Sequence, residues 1–253
     1  MPAAPAVAVT LGAAHRRRLR EVWRSAGWPC RDGLEAELLA AGLLAAERDA
    51  AGRETLRVTE AGVAEIARTL QRNRGTRDAH EALVGRVARE MQRAGRVVWR
   101  GLGLRARVAP DGGDPDGRDD AQWVVAMPDV YSIRHTTVED YVEPIAHEVK
   151  VTRADLLADL KRPAKGAAYR WLSSECWYVL RAGIARPEEV PEPYGVLLAH
   201  PGGALEVARP APRRGLRLPF AVWMALARAA PEPADDDAQG WLGDGDGEGG
   251  GPG

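Results

Sequence analysis
The sequence predicts an α/β protein: a helix, three strands, a helix and a further strand around one central mixed sheet, with a small helix-rich domain in front. Three observations carry that expectation. Strand-like runs rich in branched and aromatic residues (RVVW, QWVVA, IAHEVKV, CWYVL) alternate with stretches whose apolar residues recur at helical spacing. The first part of the chain instead reads helix, helix, hairpin, helix. And every lysine of the 253-residue chain, Lys150, Lys161 and Lys165, falls within HEVKVTRADLLADLKRPAKGAAY, residues 147–169, while all other basic residues are arginine.

Residues 1–12 read as a loose leader, small and apolar but with no basic stretch before it. In AHRRRLREVWRSA, residues 14–26, Leu19, Val22, Trp23 and Ala26 share a helical face, and Gly27, Trp28 and Pro29 end the helix. A second helix runs roughly from Leu34 to Ala41 and stops at Gly42. LLAAERDAAGRETLRVTEAG reads as two short strands about a turn, and Thr59 caps a helix over AGVAEIARTLQR. These elements make a first domain at 13–73, and NRGTR at 73–77 reads as a linker.

The second domain is expected at 77–229. Its first helix, DAHEALVGRVAREMQR, carries the apolar stripe Val84, Val87, Ala88 and Met91. RVVWRGLGLRARV reads as one or two strands, and APDGGDPDGRDD as a mobile surface loop that lacks the ligand spacing of a calcium loop. Strands follow around QWVVAMPDVYSI and EPIAHEVKV. A helical stretch from about Arg153 to Leu172 restarts at Pro163, because proline suits a first helical turn but not a helix interior. CWYVL is a buried strand, YGVLLAH and ALEVARP a late pair, and FAVWMALARAA the closing helix.

Residues 230–253 form an acidic, glycine-rich tail with seven acids and no base, so the net charge of −1 becomes −1 + 7 = +6 on the rest of the chain. A basic body suits a polyanion partner. No apolar run approaches the roughly 20 residues of a membrane span. Cys30 and Cys176 lack zinc-ligand spacing and read as reduced thiols of a cytoplasmic protein.

The lysine-rich segment is where chemistry concentrates. Alternation on a strand points Glu148 and Lys150 to one face and His147 and Val149 to the other. A carboxylate and an ammonium buried side by side need partners. Met127-Pro128-Asp129 puts a second carboxylate at the end of an apolar run. Two carboxylates converging at strand ends can hold a hard divalent cation such as magnesium, and a neighbouring ammonium can act on a bound water or a phosphoryl oxygen. With Thr152 as N-cap, Asp155 sits at the third helical position and shares a face with Asp159, four residues on. Lys161 and Lys165, then Lys165 and Tyr169, repeat that spacing and can reach a phosphate. His147 reads as structural, and Trp171, Trp177 and Tyr178 as core. Arg134-His135 reads as a strand-end surface pair, and Ser173-Ser174-Glu175-Cys176 has no His/Asp pair assigned beside it.

Pro128-Asp129, followed 19 positions on by Glu148-Val149-Lys150, resembles the PD-(D/E)XK nuclease superfamily. That resemblance implies a restriction-endonuclease-like core and a DNA phosphodiesterase using magnesium or manganese. Asp129 and Glu148 would be metal ligands, and Lys150 the water-activating or charge-stabilising group. The superfamily also has a glutamate on the preceding helix. Glu81, expected to point inward with Val84 and Ala88, is preferred for that role over Glu90. The run from Lys150 onward, with Arg153, Asp155, Asp159, Lys161, Tyr169 and Gly195, resembles the MmcB-like DNA-repair branch over residues 78–215. KGAAY resembles the Gln-x-x-x-Tyr motif of related nucleases, with Lys165 in place of glutamine. In front, AAGLL and LRVTEAGVAEIA resemble the wing and following helix of bacterial winged-helix proteins, with WPCRDG where a middle helix would stand.

Three readings stay open at this stage. The chain is a metal-dependent nuclease in DNA repair, the same enzyme in defence against foreign DNA, or a non-catalytic winged-helix regulator that binds DNA or protein. The second helix carries Glu35 and Glu37 and no base, so packing or homodimer contact suits it as well as DNA does. A repair or defence protein is the other expected kind of partner.

Overall fold
The structure is a computed structural model that describes residues 9–110, 115 and 118–233. Most of the leader, part of the APDGGDPDGRDD loop and the tail from residue 234 lie outside the described residues. The chain divides between Arg77 and Asp78 into two compact units.

The first unit contains α1 (Ala13–Arg24), α2 (Gly33–Ala40), the antiparallel hairpin β1 (Leu44–Arg48) and β2 (Glu54–Val58), and the start of α3 (Glu60–Arg93). Leu19, Val22, Leu38, Leu43, Leu44 and Leu56 form its core. Trp23 and Ala26, expected on the packed face of α1, are exposed, because the helix ends at Arg24 and its short buried stripe is satisfied by Leu19 and Val22. The buried Glu35 carboxylate accepts the N–H groups of Cys30 and Arg31, and Asp32 caps α2 by accepting from Glu35 N. That pairing holds the irregular stretch between α1 and α2.

The expected linker at 73–77 is helix. α3 continues from Glu60 to Arg93 without interruption. Nothing between Thr59 and Arg93 forbids this: there is no proline, and of the three glycines, Gly62, Gly75 and Gly85, the one within the 73–77 segment, Gly75, costs about 1 kcal/mol at an exposed site.

In the second unit, β3 (Arg96–Arg100), β6 (Val130–Arg134), β7 (Ile145–Lys150), β8 (Glu175–Arg181), β9 (Gly195–Ala199) and β10 (Leu205–Arg209) form one sheet in the order β10-β9-β8-β7-β6-β3. The expected mixed sheet is present. β3, β6 and β7 pair antiparallel, β7, β8 and β9 parallel, and β10 closes antiparallel on β9. The crossover from β7 to β8 contains α4 (Arg153–Leu160) and α5 (Pro163–Leu172), which break at the Arg162-Pro163 step. Between β3 and β6 the chain makes a separate hairpin, β4 (Leu104–Val108) and β5 (Gln122–Ala126). So RVVWRGLGLRARV is two strands, and the second leaves the main sheet. α6 (Phe220–Arg228) ends the described helices, and no described helix is long and apolar enough to cross a membrane.

Strand alternation builds two cores. Ala146 on β7 joins Tyr131, Leu156, Tyr169, Leu172 and Leu180 on one face, while Val149 joins Val84, Val87, Ala88, Val98 and Val179 on the other. The expected stripe of α3 therefore covers the sheet, with Met91 at its edge. The tail begins later than residue 230. Glu232 N donates to Val98 O at 2.7 Å, and its carboxylate pairs with Arg100 at 2.9 Å.

Gly27 has φ of +76°, and a Cβ there would lie 2.1 Å from Leu56 O. Gly27→Ala is therefore expected to destabilise the first unit by roughly 2 kcal/mol or more. The check is urea unfolding followed by circular dichroism, in which the variant should show an earlier transition.

Candidate functional site
The geometry of the site follows from where a strand pair ends. β6 pairs with β7 only as far as Val130↔His147, whereas β7 and β8 stay paired to Lys150↔Leu180. Beyond His147, the β6 side of β7 has lost its ladder partner. Pro128 has no N–H to offer, and Asp129 turns its carboxylate onto the gap. Asp129 Oδ2 accepts the Val149 N–H at 2.7 Å, satisfying a donor that would otherwise be orphaned. The turn of chain thus puts Asp129 beside the strand that carries Glu148 and Lys150.

Glu148 and Lys150 share a face, as alternation requires, and are 5% and 4% exposed. Glu148 Oε1 accepts from Lys150 Nζ at 2.6 Å and from Lys165 Nζ at 2.5 Å. The Tyr169 hydroxyl lies 2.8 Å from both Glu148 Oε2 and Met127 O, so one proton serves two acceptors. Asp159 Oδ1 accepts from Lys165 at 2.6 Å, and Oδ2 accepts from the Tyr178 hydroxyl at 2.8 Å. Lys150 also lies 3.5 Å from Asp155 and 3.6 Å from Asp159. One buried and one partly covered ammonium group, Lys150 and Lys165, are thereby held among three carboxylates and two phenols.

Thr152 caps α4 through the Asp155 N–H, which leaves the Asp155 carboxylate half-exposed above Lys150. Pro163 at the first position of α5 restarts the helix so that Lys165 and Tyr169, one turn apart, face β7 together. The break between the two helices lets Asp159 and Lys165 meet, although they are six residues apart.

The structure brings together Asp129, Glu148, Lys150, Asp155, Lys165 and Tyr169. It does not bring in three other expected residues. Lys161 is exposed at the C-cap of α4, and Arg153 pairs with Glu189 at 2.6 Å. Glu81, expected to face inward, is 64% exposed. Its neighbour His80 is the residue turned to the site, with Nε2 3.4 Å from Asp129 Oδ2 and Nδ1 3.4 Å from Glu81. A helix advances about 100° per residue, so a stripe running through Val84 and Ala88 admits either position, and packing selects His80. Tyr178, read as core, is buried but spends its hydroxyl on Asp159. No local sequence spacing links those two residues. His147 points to the opposite face, fully buried and held neutral by a pKa that burial lowers to about 3.

Burial raises the Asp129 pKa, and the Glu148 carboxylate adds to the effect. Burial opposes charge on Lys150, but Glu148, with Asp159 and Asp155, outweighs it and raises its pKa, so Lys150 is an ammonium. Burial likewise works against Asp159, and the Lys165 hydrogen bond and both ammonium charges overcome it, lowering its pKa. Burial and the Glu148 carboxylate push the Tyr169 phenol up, which keeps it a donor. Four acidic side chains, Asp129, Glu148, Asp155 and Asp159, face two lysines, an excess of acids that suits a cation. Among the described residues no group of three or more His, Cys, Asp and Glu side chains stands ready as a metal cluster. The residues that could hold a cation are Asp129 and Glu148, and two carboxylates completed by waters are a donor set of the kind magnesium takes.

The raised Asp129 pKa makes the stability of the fold depend on pH. A carboxyl whose folded pKa is raised stabilises the fold below its unfolded value, and that contribution is lost as pH rises through the folded one. Without metal, Asp129→Asn is expected to raise the melting temperature at pH 7 to 8 by roughly 2–4 °C. The advantage should vanish as pH falls below about 3.9, where both side chains are neutral. Differential scanning fluorimetry in chelator across pH checks this.

No protein-family model matches the chain, and no curated protein matches it. Among solved structures, a protein of unknown function from Silicibacter pomeroyi matches with 21% identity and a TM-score of 0.37, covering 57% of this chain and 79% of that one. A likeness at that level says nothing about fold or activity.

Proposed function
We propose that this chain is a PD-(D/E)XK-type nuclease that hydrolyses DNA phosphodiester bonds with magnesium or manganese. The observation that carries the reading is the convergence of Asp129 with Glu148 and Lys150 where β6 and β7 separate. The element order supports it: helix, three antiparallel strands, helix and parallel strand are those the motif implies, with the β4–β5 hairpin inserted between the first two strands.

Asp129 and Glu148 would hold the metal, which supplies Lewis acidity and neutralises charge on the phosphate when bound. Lys150, kept as an ammonium, suits the stabilising of negative charge on a phosphoryl oxygen better than the removal of a proton from water. Lys165 and Tyr169 hold the Glu148 carboxylate, and Asp159 with Tyr178 holds Lys165. Hydrolysis adds water across the P–O bond, leaving a phosphate monoester and a free hydroxyl. A role in DNA repair is what the resemblance of the segment after Lys150 favours, and the winged-helix-like first unit and basic body fit a DNA partner.

One observation favours a second reading. Both oxygens of Glu148 already accept hydrogen bonds from the protein, which is also what a non-catalytic DNA-binding relic of such a site would show.

Cleavage of supercoiled plasmid and of a single-stranded oligonucleotide in magnesium, beside chelator controls, separates the two. Asp129→Ala and Lys150→Ala should each lower the rate about 100-fold or more. Equal cleavage by all three proteins, or none by the wild type, would sink the nuclease assignment. Lys165→Arg is expected to be nearly as damaging as Lys150→Arg, because a guanidinium cannot occupy a pocket built for a point charge between Glu148 and Asp159. Lys161→Arg should leave the rate within a few-fold of wild type; initial rates of the three variants test the ranking.

A further inference from the structure
The β4–β5 hairpin departs from the usual rule for a half-covered sheet. Its inner positions, Leu104, Ala106, Val108 and Ala126, are buried in the core shared with Tyr169 and Leu172. Its outer positions should then be polar. On β4 they are Arg105 and Arg107, but on β5 and just after it they are Trp123, Val125 and Met127, which are 51%, 71% and 58% exposed. Register sets Arg105 opposite Val125 and Arg107 opposite Trp123. The Arg105 guanidinium lies 5.3 Å over the Trp123 ring, and Trp171 of α5 meets that ring edge-on at 5.9 Å. Neither strand carries an acid, and nearby Asp120 pairs with Arg118.

We propose that this face is a stacking platform for single-stranded DNA, feeding the site at Asp129; the proposal deepens the nuclease reading and rests on it. An exposed, arginine-flanked indole matches the two parts of a nucleic-acid strand, a base with an open π-face and an anionic backbone. A duplex does not offer that π-face, because its bases stack on one another, and the groove-reading donors a duplex requires are missing from Val125 and Met127. The platform is continuous with the candidate site. Met127 O contacts the Tyr169 hydroxyl, and two residues later comes Asp129. Asp129 lies six positions after Trp123, at most about 20 Å of extended chain, which a few nucleotides span. A base held on Trp123 would therefore fix the backbone that passes Lys150.

The test measures binding in chelator, where no cleavage can occur. A fluorescein-labelled single strand of roughly 16 nucleotides is titrated with the full chain by anisotropy, beside a blunt duplex of the same length. Trp123→Ala should weaken single-strand binding roughly 5- to 150-fold, the range for loss of one stacked base, while Trp123→Phe stays within a few-fold. Arg105→Ala should reduce the salt slope by about one. Val125→Ser, at a position with little packing to lose, should also weaken binding and guards against a Trp123→Ala variant that misfolds. Wild-type affinity in both Trp123→Ala and Val125→Ser would overturn the platform, as would a duplex that binds more tightly than the single strand. A dimer broken by Val125→Glu with DNA affinity unchanged would make the face a contact between copies and also overturn it. Platform binding without cleavage in magnesium would instead defeat the nuclease reading alone, and cleavage with no dependence on Trp123 would defeat the platform alone.

Discussion
The second unit is organised around the buried carboxylate of Glu148 and the two ammonium groups that share it. Two ions taken out of water cost several kcal/mol each, and their attraction offsets that only when every remaining donor and acceptor is satisfied. Each element near β7 can be read as meeting that demand. α5 supplies Lys165 and Tyr169 from one face, α4 supplies Asp159, and β8 supplies the Tyr178 hydroxyl that finishes Asp159. The break at Pro163 is part of the same arrangement, since an unbroken helix would not let Asp159 and Lys165 meet.

β7 is also where the sheet changes character. It pairs antiparallel on one side and parallel on the other, and its last residues keep only the parallel partner. In sheets of this kind, ligand sites gather at strand ends where the topology changes, because the elements on the two sides leave in different directions and open a crevice. Asp129 enters that opening as a substitute for the missing strand. It caps the Val149 N–H, and burial there, with the Glu148 carboxylate beside it, raises its pKa.

Much of this was legible from residue order. Strand alternation placed Glu148 and Lys150 on one face and His147 on the other, Thr152 and Pro163 marked the helix starts, and the valine stripe of α3 marked the covered face of the sheet. These are local rules, acting over four residues or fewer. The parts that were not legible depend on contacts between distant segments or on an ambiguity of phase. Nothing near Tyr178 announces Asp159, nor does the sequence show that Arg153 turns away to Glu189. His80 and Glu81 are adjacent on a helix whose stripe tolerates either, and only packing on the sheet decides. The segment at 73–77 looked like a linker on composition, yet composition alone cannot break a helix that lacks a proline. The hairpin's departure from the main sheet likewise required knowing what its inner face packs against.

The chain's use of arginine everywhere outside one segment has a practical side. Of its three lysines, Lys150 is buried and Lys165 is largely covered, leaving Lys161 as the exposed one. Amine-directed reagents should therefore find a single open side chain, at the end of α4 and close in sequence to the network. A fluorophore or cross-linker placed there would report on this region without a substitution having been made.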